Sequence, residues 1–250
     1  MTPLEAILVL LAGFAAGTIN TIVGSGSLVT FPTLLAVGLP PVTANVSNTI
    51  GLVPGVMSGV VGYRRELSGQ RDRVVMLGGA ALAGGLIGGI LLLALPGETF
   101  DAVVPFLILF ATALMAFQPR ITAWLARPGR EAFARPAFLI PMVLLNGIYG
   151  GYFGAAQGVI LLSLLGIFVA DDLQRLNGLK NVIGLIVNGV AAILFLFVAP
   201  IAWDAVALIA AGSVVGGQVG AVIGRRLPPF WLRMAVVTLG LVAGTILLLT

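Results

Sequence analysis

The sequence predicts an all-α polytopic membrane protein built from two inverted repeats, and three observations carry that prediction. Hydrophobic residues make up 59% of the 250 residues and charged residues only 9%, where soluble domains carry roughly 25% charge. Such a chain cannot cover a water-facing surface with polar groups, so its solvent is lipid. The apolar runs between short polar loops approach the ~20 residues that an α-helix needs to cross a bilayer. The pattern also occurs twice. Gly17 and Gly24 recur 130 residues on as Gly147 and Gly154, Asn48 recurs at 133 as Asn181, and Gly84-Gly85-Gly88 recur at 132 as Gly216-Gly217-Gly220. Two hydrophobic halves, each interrupted by small residues at the same place, point to a site between repeats.

Each repeat holds four hydrophobic elements, which gives about eight membrane-spanning helices plus short returning half-helices. The first element, 4–38, is too long for one span and too short for two, and Gly24-Ser25-Gly26-Ser27 breaks it. A crossing helix, a break and a shorter returning helix accommodate it. The second, 42–62, follows Pro40-Pro41 and opens with polar residues. The third, 73–95, carries Gly84 and Gly88 four apart, a spacing that lets helix backbones approach closely in lipid. The fourth, 101–118, lies between Pro96 and Pro119. Residues 1–120 thus form the first repeat, 121–136 an arginine-rich cytoplasmic linker, and 137–250 the second repeat. There the first element, 137–169, is broken at 154–158. Asp171 and Asp172 suit the start of the next helix, 173–198. The run 202–223 repeats the four-residue glycine spacing at Gly212, Gly216, Gly220 and Gly224. The last, 230–249, follows Pro228-Pro229 and carries Gly240 and Gly244.

Loop charge sets the expected orientation. The loops Arg64 to Arg73, Arg120 to Arg135 and Arg225-Arg226 are rich in arginine and are expected inside; Arg233 lends mild support. The loops at Glu98–Asp101 and Ala199–Asp204 hold acids without bases and are expected outside. Element 42–62 then runs inward and 173–198 outward, so the repeats are related by an axis in the membrane plane. The net charge of +4 belongs to these loops rather than to a nucleic-acid surface. The chain contains no cysteine and no histidine, which excludes disulfides, thiolate chemistry and histidine metal sites. No cofactor is expected. The first apolar run starts at Leu4 without a preceding Lys or Arg, unlike a cleavable signal peptide.

The two breaks are the candidate substrate site. Consecutive non-helical residues in mid-membrane leave backbone N–H groups that protein, water or a ligand must satisfy. At the start of a short helix such N–H groups also attract anions. Polar residues crowd the elements that follow: Thr43, Asn45, Ser47, Asn48 and Thr49 in one half, Asn177, Lys180, Asn181 and Asn188 in the other. Lys180 alone among the bases lies well inside a span, about two turns beyond Asp172. Such a residue is a functional candidate, against the alternative that it snorkels to the interface. The expected substrate contacts are Asn20, Gly24, Ser25, Gly26, Ser27, Asn45, Asn48, Gly154, Gln157, Lys180 and Asn181. These are mostly hydrogen-bond donors, and no carboxylate lies in mid-membrane, so the set suits an anion held near the midplane.

The run Gly17-x-x-Asn20-x-x-Val23-Gly24-Ser25-Gly26-Ser27-Leu28-x-x-Phe31-Pro32 resembles the opening signature of the sulfite exporter TauE/SafE family, the toluene-sulfonate uptake permease type. Gly147-x-x-Gly150-Gly151-x-x-Gly154-Ala155-x-x-Gly158 resembles its second signature, and the stretch from Asn177 through Lys180 and Asn181 to Asn188 fits its later helix. The resemblance covers nearly the whole chain. It implies a secondary transporter for small sulfur-containing anions such as sulfite or sulfonates, in the cytoplasmic membrane and usually proton-linked. Ser27, where the family often has a third glycine, and Gln157, in place of a small residue, are departures that bear on substrate choice. The implied partners are the anion, the lipid bilayer and protons as coupling ion. A homodimer is left as an assembly option.

Two other classes compete. An anion channel or passive facilitator would conduct without saturating. An intramembrane enzyme would need a base beside Ser25, and with no histidine Lys180 is the only candidate for a Ser-Lys dyad.

Overall fold

The computed structural model describes residues 1–125, 136–224 and 230–249. Among them are ten helices and no strand: α1 (Pro3–Ile22), α2 (Ser27–Ala36), α3 (Pro41–Gly62), α4 (Arg71–Ala94), α5 (Gly97–Leu125), α6 (Pro136–Tyr152), α7 (Gln157–Phe168), α8 (Leu173–Val198), α9 (Trp203–Ile223) and α10 (Phe230–Leu249). The eight expected elements are present, and the first element of each half is two helices. Most of the arginine-rich linker, together with Arg225, Arg226 and the side chain of Arg233, lies outside the described residues.

Helix ends follow local chemistry. Thr2 and Glu5 form a capping box on α1, and each satisfies a backbone N–H that the first turn leaves open. The Asp172 side chain accepts from the Gln174 N–H at 2.8 Å and caps α8, as its position before the apolar run led one to expect. One boundary differs more widely. Helix α5 extends beyond 101–118 at both ends and takes in Glu98 and Pro119. An acid in the first turn complements the positive end of the helix dipole, so Glu98 favours helix rather than loop.

Among the described residues, five helices are long and apolar enough to cross a membrane by length and composition: α1, α4, Gly97–Phe117 of α5, α8 and α9. At 22 residues α3 is long enough, but its polar opening lowers its hydropathy. With 10 and 12 residues, α2 and α7 reach only about 15–18 Å, roughly half of a ~30 Å hydrocarbon core. Large apolar side chains such as Leu4, Leu11, Phe106, Ile193 and Phe197 are exposed, as a lipid-facing surface requires.

Helix packing exchanges one half for the other. Helix α1 packs on α9 as α6 packs on α4, and α3 packs on α9 as α8 packs on α4. The pairs α1–α2 and α6–α7, α2–α3 and α7–α8, α2–α10 and α7–α5 correspond in the same way, while in α3–α8 and α5–α10 a helix packs on its own counterpart. Glycine permits close backbone approach in these contacts. A Cβ on Gly216 would strike the Phe14 carbonyl of α1, and one on Gly88 would strike the Ile148 carbonyl of α6. Gly79, also on α4, faces open space. Gly88→Ala is therefore expected to destabilise the protein by roughly 1–3 kcal/mol through overpacking, and Gly79→Ala to leave it unchanged. Thermal unfolding of the two variants in one detergent checks this.

Candidate functional site

The two breaks share one backbone geometry. Helix α1 ends where the Val23 and Gly24 N–H groups both donate to the Ile19 carbonyl, at 2.7 and 3.1 Å. Helix α6 ends where Phe153 and Gly154 both donate to the Tyr149 carbonyl, at 2.9 and 3.1 Å. Gly24 and Gly154 then turn the chain with φ of +88° and +76°, a region that side chains disfavour. The breaks occupy 23–26 and 153–156, so the first lies one residue earlier than the expected 24–27, and the second starts one residue and ends two residues before the expected 154–158. Gly26 takes helical angles as the cap of α2, which draws Ser27 into that helix. Gln157 and Gly158 belong to α7.

The breaks meet. The Gly158 N–H donates to the Gly24 carbonyl at 3.0 Å, and a Cβ on either glycine would run into the other's backbone. Phe31 of α2 packs edge-on against Phe153 of the opposite break, centroids 5.2 Å apart.

Ending α1 here strands carbonyls that α8 then satisfies. The Lys180 Nζ donates to the Asn20 carbonyl at 3.0 Å and to the Thr21 carbonyl at 3.3 Å. Asn177 and Asn181 also donate to Thr21, at 3.2 and 3.3 Å. Lys180 is 2% exposed, so it does not snorkel to an interface. It lies where a helix C-terminus concentrates partial negative charge. On the other side, Asn45 of α3 donates to the Tyr152 carbonyl at the end of α6, at 2.9 Å.

Between these parts lies a cavity of about 30 Å³, room for on the order of two waters. Seven of the expected residues line it: Asn20, Gly24, Ser27, Gly154, Gln157, Lys180 and Asn181. The other four lie around it. Ser25 donates to the Met115 sulfur at 3.5 Å, and the Gly26 N–H donates to Asn20 Oδ1 at 2.9 Å. Asn48 accepts from Thr30 and donates to Ser27 Oγ at 3.1 Å, so it holds the short helix α2, while Asn45 holds the end of α6. No Ser-Lys dyad forms, because Ser25 turns to Met115 and Lys180 to α1.

The cavity also has walls outside the expected set: Thr49, Leu52 and Val56 of α3, Gly158, and Gly184 and Asn188 of α8. Asn188 shares a helix face with Asn177 and Asn181, which the spacing signals. Leu52 and Val56 carry no such signal, since apolar residues on a membrane helix are ordinary. At the α8 N-terminal end, the Tyr63 hydroxyl donates to Gln174 Oε1 at 3.2 Å and accepts from Asn177 at 2.9 Å. Beyond it, Asp171 pairs with Arg73 and with Arg175 Nε. The hydrogen bond from Arg73, then that from the Asp172 N–H, holds the Asp171 carboxyl below its ordinary range.

A family model described as Sulfite exporter TauE/SafE matches residues 9–247. Among curated relatives, the probable membrane transporter protein ORF9 of Sinorhizobium sp. is 26% identical, over 84% of this chain and 79% of its own. A probable membrane transporter protein of Haemophilus influenzae is 26% identical, over 84% and 81%. The probable membrane transporter protein YfcA of Escherichia coli K12 is 24% identical, over 88% and 81%. No solved structure matches.

Proposed function

The chain belongs to the sulfite exporter TauE/SafE family of multi-pass membrane transporters, and we propose that within it this protein is a secondary carrier of small sulfur-containing anions, sulfite or short sulfonates. One observation supports this above others: the two breaks, Lys180 and the amides of Asn20, Gln157 and Asn181 converge on one cavity. A sulfonate offers three acceptor oxygens and a fixed negative charge to that set. The substrate would sit between the breaks, near the midplane, with the halves inverted and the arginine-rich loops inside. The exchange of helix contacts between halves supports a repeat of this kind. Protons are the proposed coupling ion.

The small cavity favours a carrier over a channel. At about 30 Å³ it must widen to admit a sulfonate, whereas a channel keeps a continuous path. A family of transporters also leaves no place for the enzyme reading. In proteoliposomes, labelled sulfite flux is expected to saturate and to exchange with unlabelled sulfite. Flux that rises without saturation would replace the carrier with a channel. Sulfite or methanesulfonate, but not short carboxylates, is expected to raise the unfolding temperature of the purified protein. Stabilisation by carboxylates alone would replace the substrate class.

A further inference from the structure

The two breaks are alike in backbone but not in how their donors are used. In the first, the Asn20 side chain reaches across and accepts from the Gly26 N–H at 2.9 Å. The position 130 residues on from Asn20 is Gly150, which has no side chain to offer, and the corresponding Ala156 N–H has no hydrogen-bond partner among the described residues. The space against Gly150 is taken by Gln157. A Cβ on Gly150 would collide with the Gln157 carboxamide at Cδ, Nε2 and Oε1 alike. Gln157 is 3% exposed and lines the cavity at the start of α7, and its Nε2 is buried without a partner. Its equivalent in the first half, Ser27, is engaged by Asn48. A buried donor without an acceptor is costly to leave so. At the N-terminus of α7 it adds to the attraction that a helix start holds for an anion.

We propose that Gln157 reads the oxyanion: its carboxamide donates to a substrate oxygen on the α7 side of the cavity, across from Lys180, and Gly150 is the positioning residue that seats it. This rests on the anion-carrier reading above and makes the site asymmetric, with recognition concentrated in the second repeat. Asn20 completes the backbone of its own break, while Gln157 keeps a free donor for the ligand.

The test is a thermal-shift titration of the purified full-length protein with sodium sulfite and with methanesulfonate. Gln157→Ala is expected to weaken both anions about tenfold or more, the effect of losing a hydrogen bond to a charged group. Gly150→Ala should weaken them similarly by displacing the carboxamide. The double variant should bind no more weakly than Gln157→Ala, because the two changes act through one side chain. Gln157→Glu, nearly the same shape, loses the amide donor and adds a like charge, and neither anion should stabilise it. Wild-type affinity in Gln157→Ala or Gln157→Glu overturns this inference alone. So does a Gly150→Ala loss that persists undiminished in the Gln157→Ala background. Failure of both anions to stabilise the wild-type protein overturns the carrier reading together with it.

Discussion

Lys180→Ala is expected to abolish anion-dependent stabilisation and flux while the protein remains inserted in the membrane. Removing one partner of a buried, hydrogen-bonded charge pair costs on the order of 2–5 kcal/mol, a loss of roughly 30-fold or more in affinity. Lys180 has a second role that the substitution also removes, since its ammonium holds the Asn20 and Thr21 carbonyls. Asn177→Ala separates the two. Asn177 donates to the same Thr21 carbonyl without lining the cavity, so losing it should lower the unfolding temperature and leave anion affinity near wild type. Lys180→Arg should also bind poorly, because guanidinium is larger and keeps its proton through any coupling cycle. Equal anion affinity in Lys180→Ala and wild type, with a stability loss like that of Asn177→Ala, would reduce the lysine to a helix cap.

The other large effect belongs to Gly24. Gly24→Ala is expected to destabilise the protein by on the order of 3 kcal/mol or more, because two costs add: the left-handed backbone and overpacking. Gly38 isolates the first of these. It has a φ of +86° like the +88° of Gly24, but nothing lies within 4 Å of where its Cβ would be. Gly38→Ala should therefore cost roughly 1–2 kcal/mol, the backbone term alone. Gly24→Ala carries in addition the collision with the Gly158 backbone, which cannot move without separating the two breaks. Thermal unfolding of both variants measures the difference. Equal losses would mean that the breaks yield easily and do not hold the halves together.

Much of this architecture is legible in the chain. The runs 173–198 and 230–249 are helices α8 and α10 as they stand, because Asp172 caps the start of the first, Pro200 follows its end and Pro228-Pro229 precedes the second, which leaves each apolar run few places to start or stop. The duplicated glycines Gly24 and Gly154 mark the two turns, since only glycine enters that backbone region without strain. Ala156 shows where such reasoning stops. It adopts a φ of +57° with nothing in its identity to signal it, held by a wholly buried setting.

By itself, then, the sequence determined the membrane class, the order of the helices, the duplicated break and the buried lysine beside the asparagines, all of which depend on composition and on spacing along one helix. The tertiary structure decided which polar residues face the cavity. Asn45, Asn48, Thr49, Leu52 and Val56 lie on one broad side of α3, yet the placement of that helix among its neighbours sets Thr49, Leu52 and Val56 against the cavity and leaves the two asparagines to hold α6 and α2. That placement is set by what packs on every side of a helix at once, and spacing within one helix carries no record of its neighbours. The contact of Gly24 with Gly158 is of the same kind: each glycine permits a close approach, and only the assembled fold chooses the partner.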